Sequence, residues 1–112
     1  MARRDDPTLA ALEKLLAALD ETEADMKVVR TRAAFIKQQR AAGSSWTDLV
    51  YGEQQPLIVK LLGNIHDRLN TVGVEWRRRE AAALHDEGMP MDEIAVLFGV
   101  SRQRISTLLR KP

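Results

Sequence analysis

The chain has 112 residues, 45% of them hydrophobic but only 4% aromatic, with 17 basic and 16 acidic side chains and a net charge of +1. That length and composition describe one compact all-α domain built on Ala and Leu, with an adequate rather than a large core. No cysteine occurs, which excludes disulfides and thiolate metal sites and fits a reducing cytoplasm, and no apolar run is long enough to cross a bilayer.

Residues 1–6 are polar and read as a disordered lead-in without a hydrophobic signal region behind it. Pro7 sits where a helix can begin. Residues 8–42 contain no proline or glycine and are dominated by strong helix formers, so they predict one long helix. Leu12, Leu15, Leu19, Thr22, Met26, Val29, Ala33 and Ile36 follow an unbroken 3,4 spacing that suits a partner helix. No intramolecular partner of matching length is evident from the sequence. The 1–42 region therefore reads as a dimerisation helix, with packing inside its own monomer as the alternative.

Residues 43–73 read as a helical scaffold. Gly43, Ser44 and Ser45 break the first helix, and Ser45 can cap a second that starts at Trp46. Trp46, Leu49 and Val50 are spaced to face inward, and Gly52 ends the element. Pro56 is placed for the first turn of a third helix running to Thr71, with Leu57, Val59, Leu61, Leu62, Ile65 and Leu69 as its apolar face. The segment 30–62 loosely echoes 75–107: a basic helix, a glycine at 43 or 88, a short helix, then another helix. The first copy lacks a basic outer face and is expected to serve as scaffold.

Residues 74–112 carry the strongest signal. Val72, Gly73 and Val74 predict a bend, followed by a helix over 74–87 with Ala82, Ala83 and Leu84 on its core side and Gly88 as its C-cap. Met89 and Pro90 lead to a short helix over 91–98, whose Ile94, Ala95 and Phe98 share one face. Gly99 stands where a two-helix corner needs a positive φ, Val100 is placed to plug the corner, and Ser101 can cap the next helix. Ile105, Leu108 and Leu109 supply the buried stripe of that last helix. Its outer face holds Arg102, Gln103, Ser106, Thr107 and Arg110, and no acidic residue lies between Ser101 and Pro112.

The run IAVLFGVSRQRI, from Ile94 to Ile105, resembles the helix-turn-helix of bacterial site-specific recombinases and invertases and of region 4 of sigma factors. The resemblance covers about 20 of the 112 residues. It implies a tri-helical DNA-binding unit and carries over no catalytic residue. Arginine and glutamine side chains suit the edges of guanine and adenine in the major groove, while a serine at a helix N-terminus and trailing basic groups suit phosphates. The DNA-contacting set is accordingly Ser101, Arg102, Gln103, Arg104, Ser106, Thr107, Arg110 and Lys111. A chain stopping at Pro112 is expected to carry no wing hairpin after the reader.

Charge is segregated within the last third of the chain. Arg77, Arg78 and Arg79 cluster at one end and Arg102, Arg104, Arg110 and Lys111 at the other, with Glu80, Asp86, Glu87, Asp92 and Glu93 between. A basic surface backed by an acidic one is what orientation on DNA requires, although a solvated mixed surface reads equally well for the arginine triplet alone. Catalysis has little support: His66 and His85 are isolated, and no phosphate loop, HExxH or nucleophile elbow occurs. No enzyme activity, metal or cofactor is expected.

Together these features predict a small bacterial transcriptional regulator, cytoplasmic and homodimeric, that reads double-stranded DNA with the helix over 101–110. The alternative is a protein-docking module for a sensor or RNA polymerase, using Trp46 and Tyr51 beside the proline-initiated helix. A small-ligand pocket at that same place is a third possibility.

Overall fold

The computed structural model describes residues 6–110, and five α-helices account for most of them: α1 (Pro7–Ala41), α2 (Trp46–Gly52), α3 (Ile58–Asp86), α4 (Met91–Phe98) and α5 (Arg102–Arg110). The described residues contain no strand, so the chain is all-α. None of these helices is long and apolar enough to cross a membrane. The disorder expected of residues 1–6 falls outside the described residues except at Asp6. That side chain accepts hydrogen bonds from the backbone N–H of Thr8 (2.9 Å) and Leu9 (3.3 Å), so it caps α1 just ahead of Pro7.

The largest departure from the expected element order is α3. The sequence predicts two helices with a bend at Val72–Gly73–Val74, whereas α3 runs unbroken for 29 residues through that point. Glycine permits a turn without compelling one. Gly73 has no positive φ, in contrast to Gly43, Gly88 and Gly99. A single interior glycine costs a helix only about 0.5–1 kcal/mol, which the packing of the surrounding turns offsets. The start of α3 also differs from expectation. Pro56, joined to Gln55 by a cis peptide bond, precedes the helix instead of opening it, and the carboxylate of Glu53 accepts the Ile58 N–H. Gly52 is the last residue of α2, and Glu53 caps that helix through its N–H to the Val50 carbonyl.

Contacts divide the chain into two compact units, one formed by Met1–Leu16 with Asn70–Pro112 and the other by Ala17–Leu69. The core of the first is a cluster of Ala81, Ile94, Ala95, Ile105 and Leu108, with Leu84, Met89, Met91, Phe98 and Leu109 packed around it. Ile94 and Ile105 are fully enclosed at 0% exposure. Ala81 is the fully buried residue that α3 contributes, while Ala82, Ala83 and Leu84 are only half-buried. Val100 stays 37% exposed instead of plugging the corner, because Ile94 and Ile105 already fill it. The first turn of α1 belongs to this unit: Ala11 is buried, and the Thr8 hydroxyl donates to the Arg79 carbonyl at 3.2 Å.

In the second unit Ala18, Thr22 and Leu61 are buried. Arg68 of α3 donates to the Thr22 hydroxyl at 3.1 Å and to Asp25 at 2.9 Å, and its Nε lies 3.8 Å from Glu21. These contacts correct the expectation that α1 lacks an internal partner. Burial along α1 follows Ala11, Leu15, Ala18, Thr22, Asp25, Val29, Arg32, Ile36 and Gln39, again a 3,4 rhythm but rotated from the apolar seam. Leu15, Thr22, Val29 and Ile36 belong to both rows. Leu19, Met26 and Ala33 are exposed because small or hydrogen-bonding residues take the inner row.

The inward-facing set expected of α2 is also corrected. No residue of α2 is buried; Trp46 is 61% exposed, Val50 is exposed and Leu49 is half-buried. The Arg40 guanidinium lies 5.0 Å from the Trp46 ring centre, so a cation, not a core, covers the indole. On α3, Leu61 is buried and Ile65 is half-buried, as is Leu57 just ahead of the helix, whereas Val59, Leu62 and Leu69 face solvent.

Candidate nucleic-acid interface

The α4–α5 corner is set by backbone geometry and by its core. Gly99 closes α4 in the left-handed conformation (φ 69°, ψ 32°), and its N–H donates back to the carbonyls of Ala95 and Val96. The Val100 N–H donates to the Ala95 carbonyl at 3.0 Å. Ser101 then starts α5 as anticipated: its hydroxyl oxygen accepts the Arg104 N–H at 3.1 Å, and its carbonyl accepts the Ile105 N–H at 3.2 Å. With Ile94 and Ala95 packed on Ile105 and Leu108, the orientation of α5 relative to α4 is fixed by enclosed aliphatic contacts.

The helical period assigns the candidate residues of α5 to different parts of its surface. At about 100° per residue, Gln103, Thr107 and Arg110 lie opposite the Ile105–Leu108 face, Ser106 lies beside them, and Arg102 and Arg104 flank the face on either side. Ser101, Arg102, Gln103, Arg104 and Arg110 are exposed, while Ser106 and Thr107 are half-buried. The Thr107 hydroxyl donates to the Gln103 carbonyl at 3.1 Å and lies 3.5 Å from a guanidinium nitrogen of Arg110. Lys111 lies outside the described residues.

One partner within this face is not evident from the sequence. Arg102 Nε lies 3.6 Å from Asp92 of α4, with both side chains well exposed. Asp92 stands in the first turn of α4 and Arg102 opens α5, so the corner brings two sequence-distant first turns together. An exposed pair of this kind contributes at most about 1 kcal/mol.

The arginine triplet on α3 is not a free basic cluster. Arg78 and Arg79 both bind Glu75, at 2.6 and 3.1 Å, and Arg77 alone of the three is exposed. The hydrogen bond from Arg79 holds the Glu75 carboxyl below the ordinary carboxylate range. Burial opposes that shift, while the charges of Arg78, Arg79 and Lys14 reinforce it. Arg78 Nε is buried without a hydrogen-bond partner.

The described residues contain no cluster of three or more potential metal ligands; His66 and His85 are both exposed. In the second unit an open apolar groove of about 590 Å³ runs beside the second half of α1, lined there by Phe35, Ile36 and Gln39 and across from them by Asp48, Leu49 and Gly52. Trp46 and Tyr51, where the sequence places a docking or ligand surface, do not line it. Comparison of the chain with protein-family models, curated proteins and solved structures finds no match.

Proposed function

We propose that this chain is a sequence-reading DNA-binding protein, a bacterial cytoplasmic transcriptional regulator that acts as a homodimer and inserts α5 into the major groove. The observation that carries the reading is the outer face of α5: polar, basic, free of acidic residues, and mounted on a corner whose two helices share a fully enclosed core. In this reading Gln103, Ser106 and Arg110 meet base edges, with Arg102 joining them from the flank. Ser101 and the backbone N–H groups of Arg102 and Gln103 bind a phosphate, while Arg104 and Lys111 supply further backbone contacts.

The test is selection of bound sequences from a random DNA pool, followed by a salt titration. Specific binding is expected to yield a palindromic consensus, and affinity should fall log-linearly with salt at a slope of about −0.9 per neutralised phosphate. No enrichment and no salt-dependent retention would reject the reading.

A second reading has an observation of its own. Val96 and Leu97 on the outer side of α4, and Trp46 and Tyr51 on α2, expose large apolar surfaces. Such surfaces suit a protein-docking module for a sensor or for RNA polymerase. That reading predicts binding to a protein with weak or no DNA contact, so the same salt titration separates the two.

A further inference from the structure

The groove in the second unit continues past the part lined by Phe35. An adjoining depression lined by Lys27, Val28, Thr31, Arg32 and Gln54 shares Thr31, Arg32 and Gln54 with it, so the two form one channel along α1 from Lys27 to Gln39. The twelve helical rises from Lys27 to Gln39 make that channel about 18 Å long. Its apolar lining is Val28, Phe35, Ile36 and Leu49.

Two of the charged side chains along it, Arg32 and Glu53, are already hydrogen-bonded. Arg32 donates to the carbonyls of Gln54 and Pro56, and the Glu53 carboxylate accepts the Ile58 N–H. Two charges remain uncommitted: Lys27 and Asp48 are exposed, and neither has an ion pair among the described residues. They stand at opposite ends. Lys27 marks the N-terminal end of the channel, whereas Asp48 lies in the first turn of α2, beside the Ser44–Ser45 turn that follows α1.

We propose that the face bearing this channel is the homodimer interface, set against the same face of a second copy across a two-fold axis. The inference deepens the homodimer component of the proposed function and rests on it. A two-fold axis brings residue i of one copy to residue j of the other and j to i, so an isologous interface has to be self-complementary. A channel with one free cation at one end, one free anion at the other and apolar side chains between meets that requirement. Antiparallel apposition sets Lys27 of each copy against Asp48 of its mate, with Phe35 and its counterpart near the axis. A strongly acidic or strongly basic partner has no comparable charge match, because the channel's free charges cancel.

The test is sedimentation equilibrium of the full chain, with thermal melts confirming that each variant is folded. The parent is expected to dimerise at micromolar concentration. K27E and D48K are each expected to weaken the dimer about tenfold, since like charges then face each other. The double variant K27E/D48K, with the pair reversed, is expected to recover most of the loss. F35D, at a residue 57% exposed, should leave folding intact and give a monomer.

A parent that is monomeric at 100 μM overturns the proposal, as does a dimer indifferent to F35D. Single variants that weaken association without rescue in the double variant overturn the Lys27–Asp48 pairing. DNA retention separates this from the reading it rests on. If the dimer behaves as described but no variant and no parent binds DNA, the interface stands and the DNA-reading function fails.

Discussion

The corner into α2 and the corner into α4 follow one local plan but differ in what they bury. In each a long helix stops at a glycine with strongly positive φ, 109° at Gly43 and 102° at Gly88. A short helix follows, and then another helix. α4 places Ile94 and Ala95 into a closed core, whereas α2 buries nothing and leaves Tyr51 85% exposed. Similar backbone signals therefore make both a rigid mount and a surface element. A reader has to hold base-facing side chains to within fractions of an ångström, which favours enclosed aliphatic packing. An association surface gains more from exposed apolar area that a partner covers.

Ile105→Ala removes a fully enclosed side chain from the α4–α5 core and is expected to cost about 2–5 kcal/mol in urea unfolding. Trp46→Ala removes a larger side chain from α2 but is expected to cost less than about 1 kcal/mol, because the indole is mostly exposed and its contact with Arg40 is a surface one. Equal losses at the two positions would show that α2 is packed as firmly as α4.

Next come the proposed reader and its hinge. Arg102→Ala and Gln103→Ala are each expected to lower discrimination between specific and random DNA by roughly 1–3 kcal/mol without changing the melting temperature. Equal losses on both DNAs would assign these side chains to phosphate. Gly99→Val forces a β-branched residue to φ 69° and is expected to cost about 1–3 kcal/mol of stability. A variant melting like the parent would mean that the corner tolerates another turn.

Much of the α4–α5 corner was legible in the sequence because each requirement falls on one residue type: glycine for positive φ, serine for the cap, apolar residues at helical spacing for the core. The buried face of α1 is less legible. Its apolar row, Leu19 and Met26 included, is the most hydrophobic one available, yet the inner row uses Ala18, Thr22 and Asp25 because Arg68 of α3 reaches two of them. Nothing in the spacing of α1 announces an arginine 43 residues away from Asp25. The Asp92–Arg102 pair was hidden for the same reason: it exists only once the corner has folded.

Acid titration probes the unit that carries α5. The folded-state pKa of Glu75 lies below its ordinary value, so the unfolded chain binds a proton there more readily. Its contribution to stability is present above the unfolded value and is lost as pH falls through the folded one. Glu75→Gln is therefore expected to lower stability at neutral and higher pH, to leave it least changed at the acid end, and so to flatten the acid limb of a stability–pH curve. An acid limb identical to that of the parent would show that the Arg79 hydrogen bond adds nothing to folding.

The smallest expected effect concerns α3, the element that leaves one corner and leads into the other. A Cβ added at Gly73 or Gly63 meets no heavy atom within 4 Å, and neither residue has a positive φ. In a continuous helix, Gly73→Ala therefore removes unfolded-chain entropy without creating strain and is expected to stabilise by about 0.4–1 kcal/mol. Gly63→Ala, well inside α3 and exposed, calibrates the measurement with a gain of similar size. A bend at Val72–Gly73–Val74 that used glycine's freedom would reverse the sign at residue 73 alone, since alanine would then oppose the required conformation. Urea midpoints of the two variants, read against the parent at unchanged m-value, decide between the continuous helix and the bend.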